Sequence, residues 1–218
     1  MATLHIYDEI GEWGIDAKAV AREIGSLKDD EPLEVHINSP GGSAFDGIAI
    51  YNQLRRRGGV SVIVDGIAAS AASIIAMGGQ TITMAHNSMM MIHRASAGVW
   101  GNAQDLRDVA DALDALDGQI VDTYAKRVGD SMQLSVIHEL LDAETWLTAQ
   151  DAVDRGFADA IDGEGAIPAA VHKGRYKNTP EHLRTNGGSV ERVLQTLEQR
   201  RIQSTVNRLR AASAKRIG

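Results

Sequence analysis

The chain has 218 residues, of which 44% are apolar and 23% are charged, a composition that suits one buried core with a smaller appendage. It contains no cysteine, which excludes disulfides, thiolate metal sites and a cysteine nucleophile. No stretch approaches the roughly 18 uninterrupted apolar residues of a membrane-spanning helix, and the N-terminus lacks a basic region followed by an apolar run. We therefore expect a cytoplasmic protein with no membrane contact.

The net charge of -7 is unevenly distributed along the chain. Residues 164–218 hold 11 Lys and Arg against 4 Asp and Glu, whereas residues 1–163 hold 11 against 25. An acidic body is thus followed by a basic tail. Such a tail can contact nucleic acid, an acidic protein surface or the acidic body itself, or it can be a solvated helix without a partner.

The first third of the chain predicts alternating strands and helices. Apolar alternation predicts strands over residues 4–7, 33–37 and 60–64, and helices follow each of them, at about 16–27, 45–57 and directly after Ser70. This order predicts an α/β fold with a mostly parallel sheet flanked by helices.

The middle of the chain predicts two more strands and a long helix. The strands lie at 81–84 and 89–92, and the helix runs from about 102 to 128 with apolar residues at spacings of three and four. Its other face carries Asp105, Asp108, Asp111 and Asp114. That face is either a solvated surface or part of a projecting helix that packs against another subunit.

Shorter elements complete a body over residues 1–162. Helices are predicted near 132–141 and from Thr148 to Gly156, and a short strand at 157–161. Glycines and prolines indicate a flexible linker over 163–188. Ser189 then caps a basic helical extension over 189–218.

Three features stand at ends of predicted strands, where parallel sheets present functional groups. They are the run Asn38-Ser39-Pro40-Gly41-Gly42, the serine Ser70, and His93. A serine hydroxyl needs a neighbouring base to act as a nucleophile, and of the seven histidines only His93 ends an apolar strand that adjoins the sheet. Each feature alone is more often structural than catalytic.

Other chemistries lack their signatures. The Gly-Lys-Ser/Thr sequence of a phosphate-binding loop is missing. No histidine and carboxylate set has metal-ligand spacing. We therefore expect neither a metal nor another cofactor.

Four collinear segments together resemble the ClpP family of serine peptidases over roughly residues 4–162. They are Ile37-Asn38-Ser39-Pro40-Gly41-Gly42, Gly66-Ile67-Ala68-Ala69-Ser70, Met91-Ile92-His93, and the block from Leu147 to Asp159 that reads LTAQDAVDRGFAD. The resemblance implies the ClpP/crotonase type of fold, built from repeated β-α units, with the long helix available for contacts between subunits.

The resemblance also implies roles for individual residues. Ser70 corresponds to the family's nucleophile and His93 to its general base. The backbone N–H groups of Gly42 and Ala71 correspond to the oxyanion hole, and Gly41 with Gly42 would bind the substrate, which we expect to add as a strand at this glycine-rich edge.

The third member of the triad departs from the family pattern. The family usually has an aspartate two residues before an aromatic, and counting back from Trp146 reaches Glu144 instead. A glutamate can also orient a histidine. Asp142 is the alternative, and the ungapped register through Trp146 favours Glu144.

The first strand begins at the start of this sequence and a basic extension ends it, which together resemble the ClpP-related head maturation proteases of tailed phages and prophages. The family implies a homo-oligomer in the form of a ring. The subtype implies cleavage of capsid or scaffold proteins, or of its own chain within the linker, without an unfoldase ATPase. The place of action would be an assembling prohead or the host cytoplasm. Three alternatives stay open: a housekeeping ClpP subunit that works with an ATP-driven unfoldase, a crotonase-like acyl-CoA enzyme, and a non-catalytic capsid or scaffold component.

Overall fold

A computed structural model describes residues 1–28, 30–163, 171–172 and 174–185. The strands are β1 Ala2–Ile6, β2 Leu33–Ser39, β3 Val60–Ala69, β4 Thr81–Ala85, β5 Met89–Ile92, β6 Thr145–Thr148, β7 Ala160–Asp162, β8 Val171–His172 and β9 Arg184–Thr185. The helices are α1 Ala17–Gly25, α2 Ala44–Arg57, α3 Ala71–Ala76, α4 Ala103–Val128, α5 Leu134–Asp142 and α6 Ala149–Asp154.

One sheet organises the body. Strands β1, β2, β3, β4 and β7 lie side by side in that order, and each adjacent pair is parallel. The long strand β3 pairs with β4 through its first half and with β5 through its second half. β5 also pairs with β6, in the antiparallel sense. The predicted α/β fold with a parallel sheet and helices is confirmed.

The core forms where the helices pack on the sheet. β2 alternates buried and half-buried residues along its length, as a strand with one fully covered face does. α2 buries Ile50 and Leu54, and α3 is buried at all six positions. α3 directly follows Ser70 at the end of β3. Its side chains are all small or aliphatic, so that it packs closely against the sheet.

The long helix α4 is buried at only one end. Its C-terminal half buries Ile120 and Tyr124, whereas residues 103–108 are exposed on every side. Asn102 caps the helix in a reciprocal pair with Asp105. Just before it, the Trp100 side chain is completely exposed. The predicted acidic face of α4 is solvent-exposed in this single chain.

Three features differ from the sequence-based expectations. β3 continues through the alanines to Ala69, because small side chains let it run on beside β5, and β6 forms a strand that the sequence did not predict. Residues 174–185, which fall inside the predicted linker, fold back against the body. The predicted helix over 189–218 lies outside the described residues.

Within the described residues, no helix is both long enough and apolar enough to cross a bilayer.

Candidate active site

Ser70 lies at the sharp turn from β3 into α3. Its φ of 55° is in the left-handed region that side chains other than glycine rarely adopt, which costs about 1–3 kcal/mol. The turn is held from both sides: the Ser70 amide donates to the Met91 carbonyl at 2.9 Å, and the Ser70 carbonyl accepts from the amides of Ser73 and Ile74 at 2.9 and 3.3 Å. The side chain thereby reaches a surface cleft.

The small residues around Ser70 are required by close packing. Ala69 and Ala71, on either side of it, are fully buried. A Cβ placed on Gly47 of α2 would lie 3.0 Å from the Ala71 side chain. Larger residues at these positions would push α2 and α3 apart.

His93 is directly paired with Ser70. Its Nε2 lies 2.8 Å from the Ser70 Oγ, a distance at which a neutral imidazole can accept the hydroxyl proton. His93 follows β5 immediately, and β5 pairs with the end of β3. The strand pairing therefore brings the two predicted residues together, although 23 residues separate them in the chain.

The environment of His93 favours its neutral form. Burial lowers the pKa of His93, and the positive charge of Arg175 lowers it further; the negative charges of Glu144 and Asp117 only partly offset this. Since a general base must be unprotonated, a lowered pKa keeps His93 competent at neutral pH.

Glu144 lines the same cavity as His93 but is held by another segment. Of the charges that raise the His93 pKa, that of Glu144 contributes most. Its carboxylate oxygens accept hydrogen bonds from the backbone amides of Lys177 at 3.0 Å and Asn178 at 2.6 Å. Glu144 itself has a φ of 48°, a strained conformation for a residue with a side chain. Among the described residues, none accepts a hydrogen bond from the His93 Nδ1.

Asp142, the alternative third member of the triad, pairs with Arg94. It accepts a hydrogen bond from the Arg94 Nε, and this bond holds the pKa of Asp142 below its ordinary value. Arg94 also donates to the buried Asp117 at 3.2 Å, and Asp117 accepts from the Ala95 amide at 2.7 Å. These contacts anchor the chain just after His93.

The glycine pair packs directly against the serine turn. Gly41 has a φ of 84°, and a Cβ there would lie 2.4 Å from the Ala69 carbonyl oxygen and 2.8 Å from the Ser70 Cβ. Gly42 has a φ of 152°, and a Cβ there would lie 2.1 Å from the Ile10 carbonyl oxygen. Only glycine fits either position. No described residue accepts a hydrogen bond from the Gly42 or Ala71 N–H.

Residues 174–185, which we call the strap, lie across this site. Tyr176 packs edge-on against the His93 ring, with centroids 5.3 Å apart, and its hydroxyl donates to the Pro40 carbonyl at 2.6 Å. Arg175 donates to the Gly41 carbonyl at 3.2 Å and to Glu9 at 2.8 Å. Sequence reasoning missed these contacts, because neighbouring glycines and prolines made the segment look like a linker.

A cleft remains open beside the serine. Its volume is about 350 Å³, and Gly42, Ser70, Ala71, His93 and Tyr176 line part of it. Within the described residues, no group of three or more His, Asp or Glu side chains is arranged to hold a metal ion.

A strained serine that is hydrogen-bonded to a histidine at the end of parallel strands defines a site of the serine-hydrolase class. Residues 5–164, about three quarters of the chain, match the sequence profile of a family described as Clp protease. This chain belongs to the Clp protease family and is a serine-type peptidase.

Curated relatives support the same placement. The chain is 36% identical over 137 residues to the ATP-dependent Clp protease proteolytic subunit 1 of Chlamydia abortus, which covers 60% of this chain and 70% of that protein. It is 34% identical over 133 residues to the proteolytic subunit 3 of Rhodococcus jostii, covering 59% of this chain and 64% of that protein.

Proposed function

We propose that the chain is an endopeptidase that uses Ser70 as nucleophile, His93 as general base and Glu144 as the residue that orients His93. The observation that carries this proposal is the 2.8 Å separation of the Ser70 Oγ and the His93 Nε2. The same pairing favours a peptidase over a crotonase-like acyl-CoA enzyme, whose chemistry needs no serine and histidine together.

The proposed reaction proceeds through an acyl-enzyme. The Ser70 Oγ attacks the carbonyl carbon of a peptide as His93 takes its proton, and a tetrahedral intermediate forms. The amides of Gly42 and Ala71 donate to its oxyanion, a contribution of about 3–4 kcal/mol for one good donor. His93 then gives its proton to the leaving amine. A water molecule, activated by His93, releases the product and restores Ser70.

The test is cleavage of an unstructured protein such as casein by the wild type and matched variants. Ser70→Ala and His93→Ala should abolish cleavage. Glu144→Gln should lower the rate by about 10⁴-fold, as when the carboxylate is removed from other triads. Asp142→Asn should lower it far less, because Asp142 pairs with Arg94. A larger loss in Asp142→Asn than in Glu144→Gln would assign the third role to Asp142.

For the biological role, we propose maturation of phage heads without an ATPase. The support is the charge contrast between the acidic body and the basic residues 164–218, which fits a protease joined to a segment that attaches to assembling structural proteins. The substrates would be capsid or scaffold proteins, and the chain itself. The site of action would be the host cytoplasm or the prohead interior.

A second candidate is a proteolytic subunit that works with an ATP-driven unfoldase. The names of the relatives in Chlamydia abortus and Rhodococcus jostii favour it, since both are ATP-dependent Clp protease subunits. The two roles predict different results with a folded substrate. Head maturation predicts that a bacterial Clp unfoldase with ATP adds nothing to the cleavage rate, whereas the second role predicts that cleavage of the folded substrate depends on both.

We also propose that the chain forms a homo-oligomer, as the resemblance to ring-forming ClpP subunits suggests. The support is the exposed first half of α4 together with three exposed apolar side chains within it or just before it, Val99, Trp100 and Leu106, since exposed apolar side chains that form a patch often mark contacts between subunits. Analytical ultracentrifugation should show a species larger than the 23.4 kDa chain, and Trp100→Glu should shift it toward the monomer. A monomer at micromolar concentration would contradict this proposal.

A further inference from the structure

We propose that the strap is a positioning element of the active site, whose consecutive amides at Lys177 and Asn178 hold the Glu144 carboxylate in place to orient His93. This inference rests on the proposed function of Ser70 and His93. It assigns a purpose to residues 174–185 that their composition does not suggest.

Two backbone amides of the strap hold the Glu144 carboxylate. Each carboxylate oxygen accepts one hydrogen bond from a backbone amide. The Lys177 N–H donates to Oε2 at 3.0 Å, and the Asn178 N–H donates to Oε1 at 2.6 Å. Hydrogen bonds to an ionised carboxylate are stronger than neutral ones. Two such bonds from adjacent residues of one turn fix both the position and the rotation of the carboxylate, and they leave lone pairs on each oxygen for a further donor.

The strap is itself anchored to the sheet. Leu183 is buried in an apolar cluster with Ile67, Ala69, Met89 and Met91 of the sheet. The Asn178 side chain donates to the Ala143 carbonyl, next to Glu144, at 2.8 Å. An amide clamp that is anchored to the strands leading to Ser70 and His93 holds the Glu144 carboxylate in one place, from which its negative charge, rather than a hydrogen bond, acts on His93.

The strap also contacts the other catalytic groups. Tyr176 packs edge-on against the His93 ring and donates to Pro40, and Arg175 donates to the carbonyl of Gly41. The strap therefore touches the base, its carboxylate and the loop of the proposed oxyanion hole. One short segment fixes the relative positions of all three.

The strap leaves the cleft beside Ser70 open. A cleft of about 350 Å³ remains beside Ser70, and Arg175 and Tyr176 form part of its wall. The hydrogen bond between Ser70 and His93 is intact at 2.8 Å. The strap thus builds one side of the cleft and leaves the serine accessible.

The experiment removes one amide while keeping a matched control. Proline lacks the N–H, so Lys177→Pro deletes the donor to Glu144, whereas Lys177→Ala shortens the same side chain and keeps the donor. The rate of Ser70 modification by a fluorophosphonate is measured for both in the full chain. Lys177→Pro should react about 10- to 100-fold more slowly than Lys177→Ala, the range expected for a misplacement near 1 Å.

A double-variant comparison shows whether the amide acts through Glu144. In a Glu144→Ala background, the proline and alanine variants at position 177 should react at the same rate, because the side chain that accepts the amide hydrogen bonds is already gone. An undiminished difference in that background would overturn the proposal. Asn178→Pro against Asn178→Ala repeats the test on the other oxygen if Lys177→Pro does not fold, as judged by circular dichroism.

The outcomes separate a failure of the strap's positioning role from a failure of the proposed peptidase function. Equal rates for Lys177→Pro and Lys177→Ala would refute the positioning role, and a faster Lys177→Pro would show instead that the strap obstructs the site. In both cases modification of Ser70 in the wild type would leave the peptidase function standing. Failure of the wild type itself to react would refute the proposed function.

Discussion

The hydroxyl of Ser73 is predicted to stabilise the fold without taking part in catalysis. Ser73 is fully buried one turn after Ser70, and its Oγ donates to the Ser70 carbonyl at 2.6 Å. Its only proton is used in that bond, so the hydroxyl of Tyr124, 2.8 Å away, must be the donor to the Ser73 Oγ. Tyr124 is itself fully buried, and burial raises its pKa, which keeps the hydroxyl protonated.

The expected cost of Ser73→Ala follows from the group that is left without a partner. The Ser70 carbonyl keeps the amides of Ser73 and Ile74, so it stays satisfied. The buried Tyr124 hydroxyl loses its acceptor, which costs about 1–3 kcal/mol. Tyr124→Phe removes that hydroxyl altogether and should cost less, about 0.5–1.5 kcal/mol.

The assay is a double-variant cycle by urea or thermal unfolding at one fixed protein concentration. Because the two single variants break the same bond, Ser73→Ala combined with Tyr124→Phe should be no less stable than Ser73→Ala alone. In a chain of this size, each kcal/mol shifts Tm by about 2–4 °C. Ser73→Ala should also keep its fluorophosphonate reactivity.

Two results would refute this reasoning. A change in unfolding free energy below about 0.5 kcal/mol in Ser73→Ala is typical of a surface site and would mean that the Tyr124 hydroxyl finds another acceptor. Strictly additive effects would mean that the Ser73 and Tyr124 hydroxyls do not interact.

Three further predictions test the site and the sheet. Because the pKa of His93 is lowered, peptidase activity should persist as pH falls below the ordinary 6.5 and decline only through the lower value; a midpoint above 6.5 in a pH-rate profile would contradict this. Gly41→Ala should lower Ser70 reactivity at least tenfold while Gly58→Ala does not, since a Cβ on Gly41 would strike the Ala69 carbonyl and Gly58 has open space around it. At His36, burial lowers the pKa but hydrogen bonds to Glu34 and Asp65 outweigh it, so the pKa is raised. The stabilisation by protonated His36 should be complete below pH 6.5 and be lost as pH rises through the folded-state pKa of His36. Wild type and His36→Gln should therefore converge in unfolding free energy at high pH. An unchanged difference between pH 5.5 and 9 would contradict this.

The sheet could be predicted from local patterns, and the Ser70–His93 pair from those patterns together with the resemblance to the ClpP family. Short apolar runs predict strands, and parallel strands place the residues that follow them at the same edge of the sheet. The run ending at His93 is such a case, and His93 indeed lies against Ser70. Histidines within strands, such as His36, lack that position.

The strap could not be predicted, because no local pattern specifies its contacts. Arg175 and Tyr176 form hydrogen bonds with Gly41 and Pro40, which lie more than 130 residues earlier in the chain. The strap itself is too short and irregular to show a hydrophobic periodicity that would predict its structure. The burial of Asp117 was also missed. It continues the regular acidic row of α4, and only its contacts with Arg94 and Ala95 distinguish it from the exposed aspartates.

The central claim, that Ser70 is a nucleophile activated by His93, is tested most directly by fluorophosphonate labelling followed by peptide mapping. The wild type should be modified on Ser70, and Ser70→Ala should not be modified. His93→Ala should react at least 10²-fold more slowly, within the roughly 10²- to 10⁴-fold contribution of a general base. Equal labelling of the wild type and Ser70→Ala, or label found on another serine, would contradict it.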